Sequence, residues 1–389
     1  MNHNPLRFAR AAVAAAFLCL HAFSHAAAPT PSISNPAVLW KFSTGKDVTA
    51  APMVDRGVVY CGSTNGQFFA LNADTGQQLW KFQANFPISS RAACEGDTVC
   101  FESGNTLYAL DRATGLEKWL YVAKPYRPIA SMDLTDYHRS SPVIADGIVY
   151  FGDDWGNLNG VSLTDGSPVF GYTTPAARPI RCAPAIHDGV VYFGDWEGDV
   201  FAVSLSDKKL RWQYRAPNVR PYYGAVVSDF LVSDGVLYFG SQHDTFAPLD
   251  IVTGKPVWSY TDPNKTYLPS TPLVHKGRVI IGTTIFTNSV LCLERGQLAW
   301  TFKAEGIFFT RPAIAGRTLI VNSSNFGKTG WLYLLDVETG ALLNKLPIDK
   351  AMPSAPVVAD GKIYLGAGDG CIYALSLSTL TTTTTEAQK

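Results

Sequence analysis

The chain has 389 residues, of which 47% are hydrophobic and 12% aromatic, so it can bury a large core. Its 32 basic and 32 acidic residues give a formal charge of zero, which excludes the basic surplus that proteins use to bind nucleic acid. Beyond residue 28 no apolar run is long enough to cross a bilayer, so we expect no transmembrane segment.

Residues 1–28 have the features of a secretory signal peptide. Arg7 and Arg10 supply positive charge, residues 11–20 form a short apolar run, and Ser24-His25-Ala26 matches a cleavage site between small residues. Cleavage there leaves 30 basic and 32 acidic residues, a formal charge of −2. We therefore expect the mature protein to be soluble, monomeric and periplasmic or secreted.

The cysteines bear on anchoring and on cross-linking. Cys19 follows the bulky Phe17 and Leu18, whereas a lipoprotein site has small residues there, so a lipid anchor is not expected. Six cysteines remain after residue 28, namely Cys61, Cys94, Cys100, Cys182, Cys292 and Cys371. An even number in an exported chain permits disulfides but leaves their pairing open. No CxxC motif occurs, which excludes c-type haem attachment and a zinc ribbon.

One stretch, LYALDRATGLEKW at 107–119, returns in altered form along the chain. The copies end at intervals of 39 to 51 residues, on an aromatic residue or, once, on asparagine. These end residues are Trp80, Trp119, Phe170, Trp212, Trp258, Trp300 and Asn344. A second pattern, of the type APAIHDGVVYFG, occurs eight times between residues 51 and 366.

Each repeat predicts four short strands. Asp-Gly joins a first strand to a second, buried strand, a turn rich in Gly and Asp leads to a third, and Thr-Gly or Asp-Gly leads to a fourth. Four strands at a period of about 42 residues are typical of a β-propeller blade. The predicted fold is therefore all-β, an eight-bladed β-propeller of four-stranded antiparallel blades.

The eighth repeat lacks a fourth strand of its own after Leu380. An orphan strand at residues 40–43, WKFS, has no repeat before it and is expected to supply the missing strand. This closure would remove the exposed sheet edges at the two ends of the chain. We expect a single domain at 37–380, followed by a polar tail at 381–389.

The aromatic residues at the repeated position are expected to pack between neighbouring blades. They are Trp40, Trp80, Trp119, Phe170, Trp212, Trp258 and Trp300. Each indole buries on the order of 200 Å². A redox or ligand-stacking role is the alternative interpretation. Asn344 occupies the same position and predicts a weaker contact between its blade and the next.

The recurring A-L-D-x-x-T-G-x-x-x-W pattern resembles the quinoprotein-type (PQQ-like) repeat family of eight-bladed β-propellers and its BamB-like members. The resemblance covers nearly all of the chain after residue 28 and implies the fold, but enzymes and scaffolds share this repeat. The family's PQQ-dependent alcohol dehydrogenases usually carry an adjacent Cys-Cys disulfide over the quinone, ligands for calcium and a catalytic Asp. This sequence has no Cys-Cys pair, so PQQ with calcium is implied only as an alternative.

Four arginines occur at one place in the repeat, close to the proline that begins each first strand. They are Arg91, Arg139, Arg181 and Arg311, from blades 2, 3, 4 and 7, with His138 and Arg178 nearby. Equivalent positions in a propeller face the same channel, so these guanidinium groups are expected to converge and to bind a carboxylate or phosphate. The alternative is that they pair with local acids or face water.

Two turns, FGDDWGN in blade 3 and FGDWEGD in blade 4, are expected on the same face. Their candidate residues are Asp153, Asp154, Trp155, Asp195, Trp196 and Glu197. Three interpretations stay open: calcium with a stacked quinone, an aromatic patch for a protein partner, and turn chemistry with ion pairs to the arginines.

Two longer loops, at 120–140 and 216–229, extend this face, and long ordered loops often bind partners. Their candidate residues are Tyr126, Arg127, Asp133, Asp136, Tyr137, His138, Arg220, Tyr222 and Tyr223. His138 with Asp136 and His243 with Asp244 are conceivable acid–base pairs, but no nucleophile accompanies either, so no catalytic residue is assigned.

These features favour an exported, non-catalytic binding or scaffold propeller. Its loop-rich face is expected to bind a protein partner of the cell envelope or an anionic small molecule, in a role such as envelope assembly. The alternative is a quinoprotein dehydrogenase-like enzyme that binds PQQ or another small molecule at the channel mouth.

Overall fold

The computed structural model describes residues 37–125, 139–216, 225–284, 287–325, 330–348 and 354–382. This part of the chain forms eight antiparallel blades around a central channel, which confirms the all-β, eight-bladed architecture predicted from the repeat. One short helix, Leu377–Thr382, follows the last strand. Within the described ranges, no helix has the length and apolar character needed to cross a membrane. Residues 1–28 lie outside these ranges.

Six blades, numbered 1 to 4, 6 and 7 along the chain, each contain four strands in sequential order. Blades 1 and 2 consist of Met53–Asp55, Val58–Gly62, Gln67–Asn72 and Gln78–Gln83, then Ala93–Glu95, Thr98–Ser103, Thr106–Asp111 and Glu117–Val122. Blades 3 and 4 consist of Val143–Ala145, Ile148–Gly152, Asn157–Ser162 and Pro168–Thr173, then Ala185–His187, Val190–Gly194, Asp199–Ser204 and Leu210–Arg215. Blades 6 and 7 consist of Leu273–His275, Arg278–Gly282, Ser289–Glu294 and Gln297–Lys303, then Ala313–Ala315, Thr318–Ser323, Gly330–Asp336 and Leu342–Ile348.

The recurring Asp-Gly pairs form the turns between first and second strands. In blade 3, Asp146 and Gly147 have φ angles of 50° and 70°. Two successive residues with positive φ define the type I′ turn, whose twist matches that of the flanking strands. Asp-Gly is a preferred sequence for this turn, which explains why the pair recurs at this point of the repeat.

Burial follows the order of the strands within each blade. In blade 1 the second and third strands are almost wholly buried, the first is half-buried, and the fourth is exposed apart from Trp80. The second and third strands are therefore the apolar centre of each blade, and the first strands line the channel.

The two ends of the chain meet in blade 8. Its first three strands are Val357–Ala359, Lys362–Gly366 and Cys371–Ser376, and the fourth is the N-terminal strand Val38–Ser43. Trp40 lies opposite Ala374, and Phe42 lies opposite Ile372. The closure predicted from the orphan strand is therefore present.

Blade 5 departs from the regular four-stranded pattern. Its first two strands, Leu231–Ser233 and Val236–Tyr238, pair normally, but the third is split into Thr245–Phe246 and Leu249–Asp250 and the fourth is only Tyr260–Thr261. Pro248 lies at the break, and proline lacks the N–H that a central strand donates. The strand therefore pairs with the fourth strand before the proline and with the second strand after it.

Neighbouring blades contact each other through the repeated tryptophans. The Trp80 indole of blade 1 donates a hydrogen bond from Nε1 to the Arg112 carbonyl of blade 2, at 2.9 Å. It also lies against Gly115, where an added Cβ would come within 2.6 Å of the ring. Equivalent indole–glycine contacts join Trp40 to Gly76, Trp119 to Gly166, Trp212 to Gly254 and Trp300 to Gly340. Trp258 faces Gly296 of blade 6 less closely, with an added Cβ 3.4 Å from its ring, and also packs on Phe246 of its own blade, with the ring centroids 5.6 Å apart.

Two blade contacts use other residues. Phe170 takes the tryptophan position in blade 3, and in blade 4 the facing turn has Lys208 where the turns of blades 1, 2, 3, 5, 6 and 7 have glycine. Lys208 has a φ of 58° and donates to the Val169 carbonyl at 3.2 Å. Asn344 takes the position in blade 7 and donates from Nδ2 to the Leu380 carbonyl at 2.8 Å. The hydrogen bond to the next blade is thus kept, while the apolar area of the indole is lost.

We expect Gly115→Ala to destabilise the protein more than Gly147→Ala. The two glycines have φ angles of 73° and 70°, so both substitutions cost about 1 kcal/mol of backbone strain. Only at Gly115 does the new methyl group meet an indole, at 2.6 Å, and such overpacking adds about 1–3 kcal/mol. The midpoints of urea unfolding measure the difference, and equal midpoints would show that the indole contact does not constrain the blade interface.

Candidate functional site

The segments that enter the first strands surround a cavity of roughly 350 Å³ at the mouth of the channel. All eight blades contribute to its wall. The lining residues are Thr49, Ala51, Ser89, Arg91, Arg139, Ser141, Arg181, Val227, Asp229, Thr271, Leu273, residues 309–314 and residues 355–358. Because every blade contributes from its innermost strand or the segment before it, the wall is held by the packed ring and not by one loop.

The four arginines expected to converge all line this cavity. They occupy two levels of the repeat. Arg91 and Arg311 immediately precede the position where most first strands begin with proline, and Arg139 and Arg181 lie two residues earlier in their own blades. The repeat therefore places guanidinium groups from blades 2, 3, 4 and 7 around one space.

Arg139 and Arg181 share one carboxylate. Asp154, from the turn after the second strand of blade 3, forms ion pairs with Arg139 and, at 3.4 Å, with the Nε of Arg181. The Asp154 and Arg181 side chains are only 2% and 1% exposed. The Arg181 guanidinium also lies over the Trp196 ring, 4.4 Å from its centroid. Arg139 and Arg181 therefore pair with a local acid, which is one of the alternatives that the sequence left open for the four arginines.

Arg91 and Arg311 have a different environment. Across the parts of the chain that the structure describes, no carboxylate forms an ion pair with either guanidinium. Burial lowers the pKa of Arg311, the nearby Asp229 acts in the opposite direction, and the charge of Arg91 lowers it further. Arg91 is thus close enough for its charge to act on Arg311, and these two cations give the cavity a surplus of positive charge.

Asp153 and Asp195 shape the two turns in which they lie. Asp153 Oδ1 accepts the N–H groups of Trp155 and Asn157, both at 2.9 Å. Asp195 Oδ1 likewise accepts the N–H of Glu197 at 2.9 Å, and burial raises the pKa of Asp195 to about 6. Both carboxylates therefore accept backbone N–H groups within their own turns, as in the third interpretation that the sequence left open.

The two turn tryptophans have separate surroundings. Trp155 is 38% exposed and donates from Nε1 to the Pro125 carbonyl at 3.0 Å. Trp196 lies beneath Arg181, as described above. The turn of Trp196 is also joined to the preceding segment by an ion pair of Glu197 with Arg178 at 2.7 Å. Of the two turn tryptophans, Trp155 is therefore the exposed one that an aromatic patch on this face could use.

The remaining sequence candidates divide into two groups. His243 Nδ1 lies 3.5 Å from Asp244 Oδ1 and accepts the Thr245 N–H at 3.1 Å, so the histidine is engaged within its own turn. The other loop candidates lie outside the described residues. They are Tyr126, Arg127, Asp133, Asp136, Tyr137, His138, Arg220, Tyr222 and Tyr223.

Glu102 is a buried acid beside this site that the sequence analysis did not select. Six blades have glycine at its position, and on Gly152 an added Cβ would come within 2.3 Å of Ile180 in the next blade. Glu102 Oε1 accepts the Asn105 N–H at 2.5 Å, and Oε2 has no hydrogen-bond partner among the described atoms. The aligned repeats could have revealed this residue, because the copy of the second pattern in blade 2 ends in Phe-Glu, whereas most other copies end in Gly.

The charge of Glu102 is coupled to the arginine cluster. Burial raises the pKa of Glu102 to about 7, while Arg139 and the Asn105 N–H act in the opposite direction. Near neutral pH a proton on this carboxyl therefore changes the charge next to the Arg139–Asp154–Arg181 group.

A calcium-bound quinone, implied by the resemblance to quinoprotein dehydrogenases, does not fit these side chains. No group of three or more His, Cys, Asp or Glu side chains able to hold a metal occurs in the described part of the chain. Asp154 is already shared by two arginines, and all six described cysteines are free thiols. Burial raises the pKa of the Cys61 and Cys182 thiols to about 12, which leaves them protonated and unreactive.

We expect Glu102→Gln to stabilise the protein relative to wild type as the pH rises from 5 to 8. The pKa of Glu102 is about 7 in the folded protein, above the ordinary value of 4.5. The wild-type protein therefore keeps its full stability below pH 4.5 and loses stability as the pH rises to 7, because the buried carboxyl must then ionise. Glutamine does not ionise and avoids this loss, which amounts to at most about 3 kcal/mol. Melting temperatures at the two pH values measure the effect, with Glu117→Gln on the exposed fourth strand of the same blade as control. A pH-independent difference between Glu102→Gln and wild type would contradict the shifted titration.

Comparison with known proteins gives partial matches to relatives of two kinds. The chain is 31% identical over 104 residues to 1-butanol dehydrogenase (quinone) from Thauera butanivorans, which covers 23% of this chain and 17% of that protein. It is 33% identical over 86 residues to outer membrane protein assembly factor BamB from Legionella pneumophila, which covers 21% of each. The matched stretches thus span about a fifth of these relatives.

A solved structure shows the same fold. The quinohemoprotein alcohol dehydrogenase from Comamonas testosteroni superposes with a TM-score of 0.68 at 14% sequence identity, over 87% of this chain and 76% of that chain. At this identity the likeness concerns the propeller alone.

The family model described as "Outer membrane protein assembly factor BamB" matches residues 32–182, 173–301 and 286–385. These segments together extend over most of the chain and include all eight blades. The chain therefore belongs to this BamB-like family of PQQ-type β-propellers.

Proposed function

We propose that this chain is a non-catalytic binding or scaffold propeller of the cell envelope, and that its loop-rich face binds an anionic group of a partner. The observation that carries the proposal is the surplus of positive charge at the channel mouth. Arg91 and Arg311 line the cavity, and in the described structure neither forms an ion pair with a carboxylate.

A half-buried cation that forms no ion pair favours binding of an anion. Burial lowers the pKa of Arg311, which means that the charged form is under-solvated in the folded protein. A carboxylate or phosphate that entered the cavity would solvate it through charge-assisted hydrogen bonds. The cavity wall is formed by all eight blades, so little conformational entropy is lost on binding.

The chemistry of the lining favours binding over catalysis. Neither histidine nor cysteine occurs among the described lining residues. Two of the hydroxyl groups already accept backbone hydrogen bonds: Ser141 Oγ accepts the Arg91 N–H, and Thr271 Oγ1 accepts the Asp229 N–H, both at 3.0 Å. An activated nucleophile donates its hydroxyl hydrogen to a base, and in the described structure neither hydroxyl donates such a bond.

The family supports a place in the envelope. The matching model and the Legionella pneumophila relative are both described as outer membrane protein assembly factors. We propose by analogy that this chain is exported through the segment at 1–28, is periplasmic or secreted, acts as a monomer and contacts proteins of the envelope.

A second candidate function is an enzyme of the quinoprotein dehydrogenase type. Glu102 favours it, because a buried carboxyl with a pKa of about 7 beside an arginine cluster is suited to accept a proton near neutral pH. The match to 1-butanol dehydrogenase (quinone) supports it over 104 residues. The lack of fit for calcium among the described side chains makes it the weaker candidate.

Thermal unfolding with PQQ and calcium separates the two candidates. If the chain is a binding propeller, we expect no change in melting temperature when both are added. A ligand present at a hundred times its Kd would add about 2.7 kcal/mol and raise the melting temperature by a few degrees. A rise that disappears on chelation of calcium, together with dye-linked alcohol oxidation, would contradict the scaffold proposal.

The binding face is tested by capture from envelope extracts on the immobilised protein. We expect proteins retained by wild type to be lost from the Arg91→Gln/Arg311→Gln double variant, because it removes the uncompensated charge. They should be kept by Arg317→Gln, an exposed arginine at the first turn of blade 7 on the opposite face. The same proteins on all three baits, or none on any, would show that the loop-rich face is not the binding surface.

A further inference from the structure

The eight residues at one position of the repeat, seven of which line the cavity, differ in charge. The position before the first-strand proline is occupied, from blade 1 to blade 8, by Ala51, Arg91, Ser141, Ala183, Asp229, Thr271, Arg311 and Ala355. This level therefore has two cations and one anion, a local charge of +1. At the neighbouring level Arg139 and Arg181 share the carboxylate of Asp154, and the buried Glu102 beside them supplies a second negative charge when it is ionised.

The space between the two cations is lined by small residues. In the ring, blades 8 and 1 separate Arg311 of blade 7 from Arg91 of blade 2, and their residues at this level are Ala355 and Ala51. An alanine contributes only one methyl group, so both guanidinium groups can extend over these two blades. Both side chains line the same cavity, and the charge of Arg91 acts on Arg311.

The remaining wall combines hydroxyl-bearing side chains with an apolar part. Val227 and Leu273 are buried lining residues, and Phe309, Pro312 and Val357 also face the cavity. A ligand that fills the cavity would therefore place an apolar body against these side chains. Its charged end would lie where Arg91 and Arg311 can each donate hydrogen bonds to it.

Asp229 limits the charge of that ligand. It lies at the same level, its Oδ1 accepts the Ala183 N–H at 3.1 Å, and its charge acts on Arg311. Beside two cations, one fixed carboxylate leaves room for one further negative charge. A dianion such as phosphate would be repelled more strongly by Asp229 than a single carboxylate would.

We infer that the cavity binds a monocarboxylate on an apolar body, with Arg91 and Arg311 holding the carboxylate over Ala51 and Ala355. This inference rests on the proposed function and names the ligand class of that same site. Two sources share the chemistry, a free organic acid and the terminal carboxylate of a polypeptide.

Calorimetric titration of the purified protein with hexanoate, hexanamide and inorganic phosphate tests the ligand class without any variant. We expect hexanoate to bind at least tenfold more tightly than hexanamide, which has the same apolar body without the charge. Phosphate should bind at least tenfold more weakly than hexanoate. Equal affinity for hexanoate and hexanamide, tighter binding of phosphate, or no binding of hexanoate would overturn the inference.

Variants then test the residues. Arg91→Gln and Arg311→Gln are each expected to weaken hexanoate binding at least tenfold, while Arg317→Gln leaves it unchanged. Asp229→Asn keeps the oxygen that accepts the Ala183 N–H and removes the negative charge. We therefore expect this variant to reduce the difference in affinity between hexanoate and phosphate. Hexanoate binding that is unchanged in both arginine variants, with wild-type melting temperatures, would place the carboxylate elsewhere and overturn the assignment.

A short apolar peptide with a free C-terminus, compared with its C-terminal amide, distinguishes the two sources. Binding of the free peptide at least tenfold tighter than hexanoate, and lost on amidation, identifies a polypeptide terminus. Weaker binding of the peptide than of hexanoate identifies a free organic acid. Failure of hexanoate to bind would leave the partner capture unaffected, whereas a calcium-dependent PQQ response would contradict the proposed function whatever the hexanoate result.

Discussion

The contact between an indole of one blade and a glycine turn of the next is the interaction on which the ring depends. A blade alone has two apolar faces, and each must be covered by a neighbour. Trp80 covers Arg112 and Gly115 of the next blade, with one hydrogen bond at 2.9 Å and a ring that leaves no space for a Cβ. Repetition of this contact, and closure by Val38–Ser43, fix the position of every first strand around the channel.

The exceptions show which part of the contact is essential. Phe170 faces a turn that has Lys208 in place of glycine, so the smaller ring and the larger residue occur together. Asn344 keeps the hydrogen bond to the next blade but buries less apolar surface. Blade 5 tolerates Pro248 within its third strand because the halves of that strand pair with different neighbours. The ring thus accepts a missing indole, a glycine replaced by a larger residue, or a split strand in single blades, where other hydrogen bonds join the neighbouring elements.

The same regularity creates the candidate site. Positions that are equivalent in the repeat become neighbours around one channel, so charges that are far apart in sequence meet. Arg139 and Arg181 form ion pairs with the single carboxylate of Asp154, whereas Arg91 and Arg311 face the cavity without an ion pair and with Asp229 close by. Glu102, in place of a glycine between blades, adds a group whose protonation changes near neutral pH. The same repeat that packs the blades together therefore also places several charged side chains at the mouth of the channel.

The sequence by itself determined the blade count, the strand order and the closing strand, because each depends on local turn signals and on apolar periodicity that repeats. It also indicated that four arginines lie within a few residues of the same position of the repeat. Only the tertiary structure decided which of them are paired, because Asp154 reaches Arg139 and Arg181 across a turn and a blade boundary. It likewise revealed the burial of Glu102 and the break in blade 5, since desolvation and strand pairing depend on neighbours that are distant in the chain.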